Sequence, residues 1–179
     1  MYLIADTENN TLVRNYIVST LKALDWHVEL DEFTADTPYG AKHMANIIAT
    51  KDQSASRRLV LSAHFDSKFF ESYPQNQVSS LKTCCLSVLA VTSFQFVGAT
   101  DSAMSCAMML DLAETLNPFL DKRKQRLEKG EEEEDEGVAD VTLQLVFFDG
   151  EEAFQFWTDT DSVYGARSSL ASLNECIRD

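Results

Sequence analysis

Residues 141–152 read VTLQLVFFDGEE. The first eight form a short run rich in β-branched, aromatic and apolar residues, which predicts a strongly buried strand over 141–148. Two adjacent carboxylates, Glu151 and Glu152, follow it, and the chain at once becomes aromatic again, AFQFW over 153–157. Carboxylates are costly to bury without partners, so this pair needs a task. Neighbouring side chains leave the backbone in different directions. One can therefore bind a metal while the other faces a substrate as general base. Apolar surroundings would desolvate Glu151 and raise its proton affinity.

Outward from this strand the chain alternates helix and strand signals. Val13, Ile17, Leu21 and Leu24 recur at helical spacing, predicting an amphipathic helix over 8–25. Trp26, Val28 and Leu30 alternate with polar residues as a strand does. Thr37-Pro38-Tyr39-Gly40 has turn chemistry, and residues 46–49 and 58–63 read as further strands around a polar loop at 51–56. The continuous run Leu59-Val60-Leu61 predicts a buried central strand. Residues 102–116 read as a buried helix with Ala103, Cys106, Ala107 and Leu110 on one face, ending before Pro118. Residues 162–173 read as a last helix. The pattern predicts an α/β domain with a mixed, largely parallel sheet flanked by helices.

Composition fits one soluble globular domain: 179 residues, 45% apolar and 25% charged. The net charge of −14 is partly local, because residues 128–136 hold seven acids against one lysine. Residues 121–140 are expected as an acidic, flexible loop, since like charges repel and no apolar face exists. An acidic surface repels phosphates, which argues against nucleic acid as a partner. No window approaches the roughly 18 apolar residues of a membrane span, and the opening MYLIADTENN lacks the basic start of a signal peptide. The four cysteines, Cys84, Cys85, Cys106 and Cys176, have no zinc-site spacing.

Active sites of such sheets lie at the carboxyl ends of strands. His64 and Asp66 follow the strand at 58–63, Asp101 precedes the helix at 102–116, and Glu151 and Glu152 follow the strand at 141–148. Each has an ordinary explanation taken singly: Asp101 as a helix N-cap, the glutamates as a solvated helix start, His64 as a satisfied core histidine. Together they place metal-ligand types at three strand-end positions. A catalytic zinc takes three protein ligands and keeps one position open.

The stretches LVLSAHFDSKFF, FVGATDSAMSCAMMLDLAETL, LQLVFFDGEEAFQFW and DSVYGAR resemble the animal glutaminyl-peptide cyclotransferases, relatives of the zinc aminopeptidases. DEFTADTPYGAKHMANII fits the same family. The resemblance implies a zinc-aminopeptidase-like fold and one Zn2+ per chain. It implies cyclisation of the N-terminal glutamine of peptides or proteins to pyroglutamate, with release of ammonia. By position it implies Asp101 and Glu152 as metal ligands, Glu151 as acid/base, Trp157 in the substrate pocket and Ser102 as a supporting hydrogen-bonding residue. His64 and Asp66 match the remnant of a second metal site. It also implies the secretory pathway, and a third ligand, a histidine, past the last residue here, so that residues 1–179 would be an incomplete catalytic domain.

Three departures stand out. Residues 78–95, VSSLKTCCLSVLAVTSFQ, form an apolar insert without counterpart in the family pattern; it reads as a retained intron or gene-model artefact, with an extra strand or helix as the alternative. The chain ends before the expected third ligand. Ala63 stands where secreted members often place a cysteine to pair with the one matching Cys106, so that disulfide cannot form. Two other functions compete: a two-zinc aminopeptidase using His64, Asp101 and both glutamates, and a catalytically dead isoform.

Overall fold

A computed structural model describes residues 3–70, 98–130 and 141–176, with residues 171–176 as backbone only. The expected insert at 78–95, and Cys84 and Cys85 within it, lie outside the described residues. Helix α1 spans Glu8–Ala23; Thr7 caps it by accepting the Asn10 N–H, and Ile17 and Leu21 are its buried stripe. A hairpin follows, β1 (His27–Thr37) and β2 (Gly40–Thr50), paired antiparallel from His27↔Thr50 to Thr37↔Gly40. Next come β3 (Arg57–His64), a π-helical turn (Ala99–Ala103), α2 (Met104–Glu128), β4 (Val141–Phe148) and α3 (Tyr164–Cys176).

The sheet has the order β1-β2-β4-β3, with β2–β4 antiparallel and β3–β4 parallel. It is mixed, as expected, but its parallel part among the described residues is the β3–β4 pair. The cause is connection length. The Pro38-Tyr39 turn is too tight for anything but antiparallel pairing, while β3 reaches β4 through a helix. The central strand at the site end is β4, not β3. Leu145 and Phe147 are fully buried, whereas Leu59 and Val60 are 59% and 49% exposed. An apolar run marks a strand without saying whether it has neighbours on both sides.

Helices α1 and α2 cover one sheet face, and their side chains join Trp26, Ile47, Leu143, Leu145 and Phe147 in the main core. The buried stripe of α2 is Cys106, Met109 and Ala113, with Leu110, Leu116 and Leu120 packed beside it. Ala107, expected on that stripe, is exposed. Pro118 lies inside α2 rather than beyond its end. A proline costs the helix one hydrogen bond, and tertiary contacts here offset that. Asn117 accepts from the Trp26 indole and from the buried Lys51 ammonium, and Lys51 pairs with Asp121 at 2.6 Å. Residues 121–128, expected as the start of the acidic loop, are therefore helical; residues 131–140 lie outside the described residues. The opposite sheet face carries α3 and a groove of about 770 Å³ that Leu30, Val60, Val146 and Phe148 help to line. No helix among the described residues is long and apolar enough to cross a membrane.

A second core cluster, Ala5, Met44, Phe154 and Tyr164, packs the segment after β4 against the hairpin. Gly150 makes that packing possible. Its φ is +66°, and a Cβ there would collide with the Met44 sulfur. Gly150→Ala is expected to lower stability by about 1–3 kcal/mol, from strain at a left-handed position. Urea unfolding checks this, and an unchanged midpoint would refute the packing account.

Candidate functional site

The carboxyl ends of the parallel pair lie side by side, with His64 opposite Phe148 in the register and the Phe65 N–H bonded to the Phe148 carbonyl at 3.0 Å. Asp66, 3% exposed, leaves β3 here and accepts the backbone N–H groups of Glu151 (3.0 Å) and Glu152 (3.1 Å), one on each oxygen. Both glutamates are thereby held against the end of the neighbouring strand. Asp66 acts as a brace for them.

His64, 9% exposed, forms the hub of the cluster. Its Nε2 lies 2.8 Å from Asp101 Oδ1 and 3.8 Å from Glu151 Oε2; its Nδ1 lies 3.2 Å from the Asp66 carbonyl and 3.4 Å from Asp66 Oδ1. Burial pushes the imidazole pKa down. The hydrogen bonds to Asp66 and Asp101 and the charges of Asp66 and Glu151 more than offset this and raise it to about 9. Protonated, the ring bridges Asp101 and Glu151. Its peptide is fixed separately. The Ser102 hydroxyl donates to the His64 carbonyl and accepts the His64 N–H at 3.2 Å, and the Cys106 thiol lies 3.1 Å from the same carbonyl. Ser102 thus supports the site by tying the Asp101 turn to the end of β3. Cys106 is a free, buried thiol, pushed up to about 12 by burial and the Asp66 charge.

Burial raises the pKa of Glu151, as do the charges of Glu152, Asp66 and Asp101, with His64 opposing. Glu152 is raised first by burial and then by Asp66 and Asp101, while Lys68, 3.7 Å away, opposes. Lys68 is itself seated by donating to the Ala153 carbonyl at 2.6 Å. Asp101, on the π-helical turn before α2, and Glu151 and Glu152, after β4, therefore share one electrostatic cluster, with His64 and Lys68 as its cations. Trp157 sits further along the same loop, 59% exposed, beside Phe156 at 68%.

Asp101 and Glu152 are oxygen donors and His64 a nitrogen donor of the kind zinc accepts. By donor chemistry the residues fit that ion. Among the described residues, however, no three such groups are arranged to hold a metal ion. His64 engages one of the two Asp101 oxygens.

Three residues escaped the sequence reading. Asp149, fully buried, accepts from Asn10 at 2.9 Å and from the Ala45 N–H at 3.1 Å, and its own N–H donates to Asn46 at 3.0 Å. Burial and the Asp66 charge push it up to about 7, against the Ala45 and Asn10 hydrogen bonds. Asp161 accepts from three consecutive amides, and Lys68 faces Glu152. The only signal for the two aspartates was a carboxylate among apolar and aromatic neighbours.

These shifts dictate a pH dependence. The pKa of His64 is raised above its unfolded value of 6.5, so its stabilisation is present below that pH and lost as pH rises through about 9. The fold favours protonated Asp149, so stability present below its ordinary value of 3.8 declines as pH rises toward 7. In metal-free buffer the unfolding free energy should fall across the whole interval. His64 would account for about 3 kcal/mol of the fall. His64→Gln should flatten the upper part and Asp149→Asn the lower. Urea melts at a series of pH values that show flat or rising stability would contradict the cluster.

A model of peptidase family M28 matches residues 46–175. The chain is 42% identical over 168 residues to a glutaminyl-peptide cyclotransferase-like protein of Bos taurus, covering 93% of this chain and 36% of that one. It is 37% identical over 190 residues to the glutaminyl-peptide cyclotransferase of Dictyostelium discoideum, covering 95% and 42%. The glutaminyl cyclase structure of Macrostomum lignano superposes with a TM-score of 0.68 at 38% identity, over 94% of this chain and 40% of that one. A Zn-dependent exopeptidase from Parabacteroides distasonis, at 19% identity and a TM-score of 0.63 over 92% of this chain and 48% of that one, shares the fold. The chain thus spans between about a third and a half of the length of these relatives.

Proposed function

The chain belongs to peptidase family M28, and on that premise we propose that its site serves the zinc-dependent cyclisation of N-terminal glutamine in peptides to pyroglutamate, with release of ammonia. The observation that carries this reading is the assembly of Asp101, Glu151 and Glu152 beside the carboxyl ends of β3 and β4, with Glu151 shifted toward proton binding. One zinc ion would be held by Asp101 and Glu152 and would polarise the substrate γ-carbonyl. Glu151 takes the proton from the attacking α-amine and returns it to the departing ammonia. A carboxylate with raised proton affinity suits both halves of that transfer. Amine and amide belong to one residue, so the site's main task is to hold a near-attack geometry. The exposed Trp157 would offer the substrate an apolar wall. A place in the secretory pathway, expected from the sequence motifs, is part of the same proposal.

Glu151→Gln keeps shape and loses the proton acceptor. Turnover should fall about a hundred- to ten-thousandfold with zinc retained. Glu152→Gln should lose zinc and activity together. Elemental analysis beside ammonia release from a Gln-peptide separates the two variants. Preferential release of leucine from a Leu-peptide would replace this reading with the aminopeptidase.

A further inference from the structure

The loop between β4 and α3 carries two kinds of residue. Glu151 and Glu152 come first; Phe154, Phe156 and Trp157 follow. Asp66 braces the first pair through one amide hydrogen bond to each of its carboxylate oxygens. The second group has its own anchor. Asp161, 6% exposed, accepts the Phe154 N–H at 2.9 Å and the Tyr164 hydroxyl at 2.7 Å on Oδ1. On Oδ2 it accepts the Gln155 N–H at 2.8 Å and the Phe156 N–H at 2.9 Å. Three successive amides converge on one carboxylate, the concave arrangement that binds anions elsewhere, and here the chain supplies its own anion. Burial disfavours the charge, but the Tyr164 hydroxyl and the three amides more than offset it and hold the carboxyl below its usual range.

The side chains sort accordingly. Phe154 points inward, 7% exposed, edge-on to Tyr164 at 5.9 Å. Phe156 and Trp157 point out. Behind them, Arg167 donates to the Asp159 and Thr160 carbonyls and lies 4.9 Å over the Tyr164 ring. A hydrogen-bonded backbone that presents two large exposed aromatics a few residues after the paired glutamates suits ligand contact more than core filling.

We infer that Asp161 is a positioning residue for substrate recognition: its carboxylate fixes residues 154–156 and so presents Phe156 and Trp157 to the incoming peptide, independently of the Asp66 brace that sets Glu151 and Glu152. This rests on the cyclase reading for the identity of the peptide, an N-terminal Gln chain. The loop is then two separately anchored halves, one for chemistry and one for recognition.

The test pairs Asp161→Asn with Asp66→Asn in steady-state assays on a Gln-peptide. An asparagine places an NH2 group where two amides need an acceptor. Asp161→Asn should raise KM about tenfold and leave kcat within about threefold. Asp66→Asn should lower kcat about a hundredfold with little change in KM. Tyr164→Phe, which leaves the three amide bonds in place, should change neither. Parallel loss of kcat and KM in Asp161→Asn, or an unchanged KM, would overturn the inference.

Amide exchange of the wild-type chain supplies a readout that needs neither activity nor a folded variant. The amides of 154–156 should open with one free energy and those of Glu151 and Glu152 with another. A single shared opening across all five would refute two anchors. If the chain cyclises nothing, exchange still decides the anchoring. Trp157 emission titrated with the Gln-peptide then decides recognition, because Trp26, 4% exposed, contributes a constant background. No emission change in the wild type would overturn the recognition role.

Discussion

The buried carboxylate of Asp66 is the contact on which the site is built, for it joins the end of β3 to the turn after β4 through the amides of both glutamates. Burying a charge costs several kcal/mol unless hydrogen bonds replace the lost water. Two amide donors and the nearby imidazole do so here. Its charge then reaches further than its hydrogen bonds. It helps to raise the pKa of His64, Glu151, Glu152, Asp149 and Cys106. One residue thus sets both where the glutamates stand and how strongly they hold protons.

The same device recurs twice. Asp149 joins the β4 end to α1 and β2, and Asp161 gathers the amides of 154–156. Three aspartates hold the loop from Asp149 to Asp161 in place, and the groups proposed for chemistry are the glutamates between them. A loop held by buried carboxylates needs little regular structure, because each anchor satisfies backbone donors that a strand or helix would otherwise satisfy. It leaves the reactive side chains part-buried on a backbone whose amides are hydrogen-bonded to Asp66.

The electrostatic balance of the cluster rests on the chain's own cations. Asp66, Asp101, Glu151 and Glu152 face two positive groups, protonated His64 and Lys68. His64 spans Asp101 and Glu151; Lys68 attends Glu152. A divalent ion on Asp101 and Glu152 would compete with both for the same oxygens. Cys106 and Ser102 act one step behind, as donors to the His64 carbonyl.

Much of this was legible in the chain itself. Apolar patterning located α1, β4 and parts of β1 and β2, and turn chemistry located the reversal between those two strands, because side-chain spacing follows backbone geometry whatever the partners. Carboxylates and a histidine beside apolar strand ends marked Asp101, His64, Glu151 and Glu152 as a group, because such groups are rarely placed there without a purpose. What periodicity could not say is which strand has neighbours on both sides, so β4 and not β3 is central. Nor could the Pro118 rule foresee Asn117, Trp26, Lys51 and Asp121 carrying α2 onward to Glu128. The assignment of Asp66 as a brace belonged to tertiary structure alone, whereas Asp161 answers amides five to seven residues before it in its own loop. The Asp66 carboxylate answers amides brought to it by the fold, at separations of 85 and 86 residues. Local sequence carries no record of which backbone donor a distant side chain will meet.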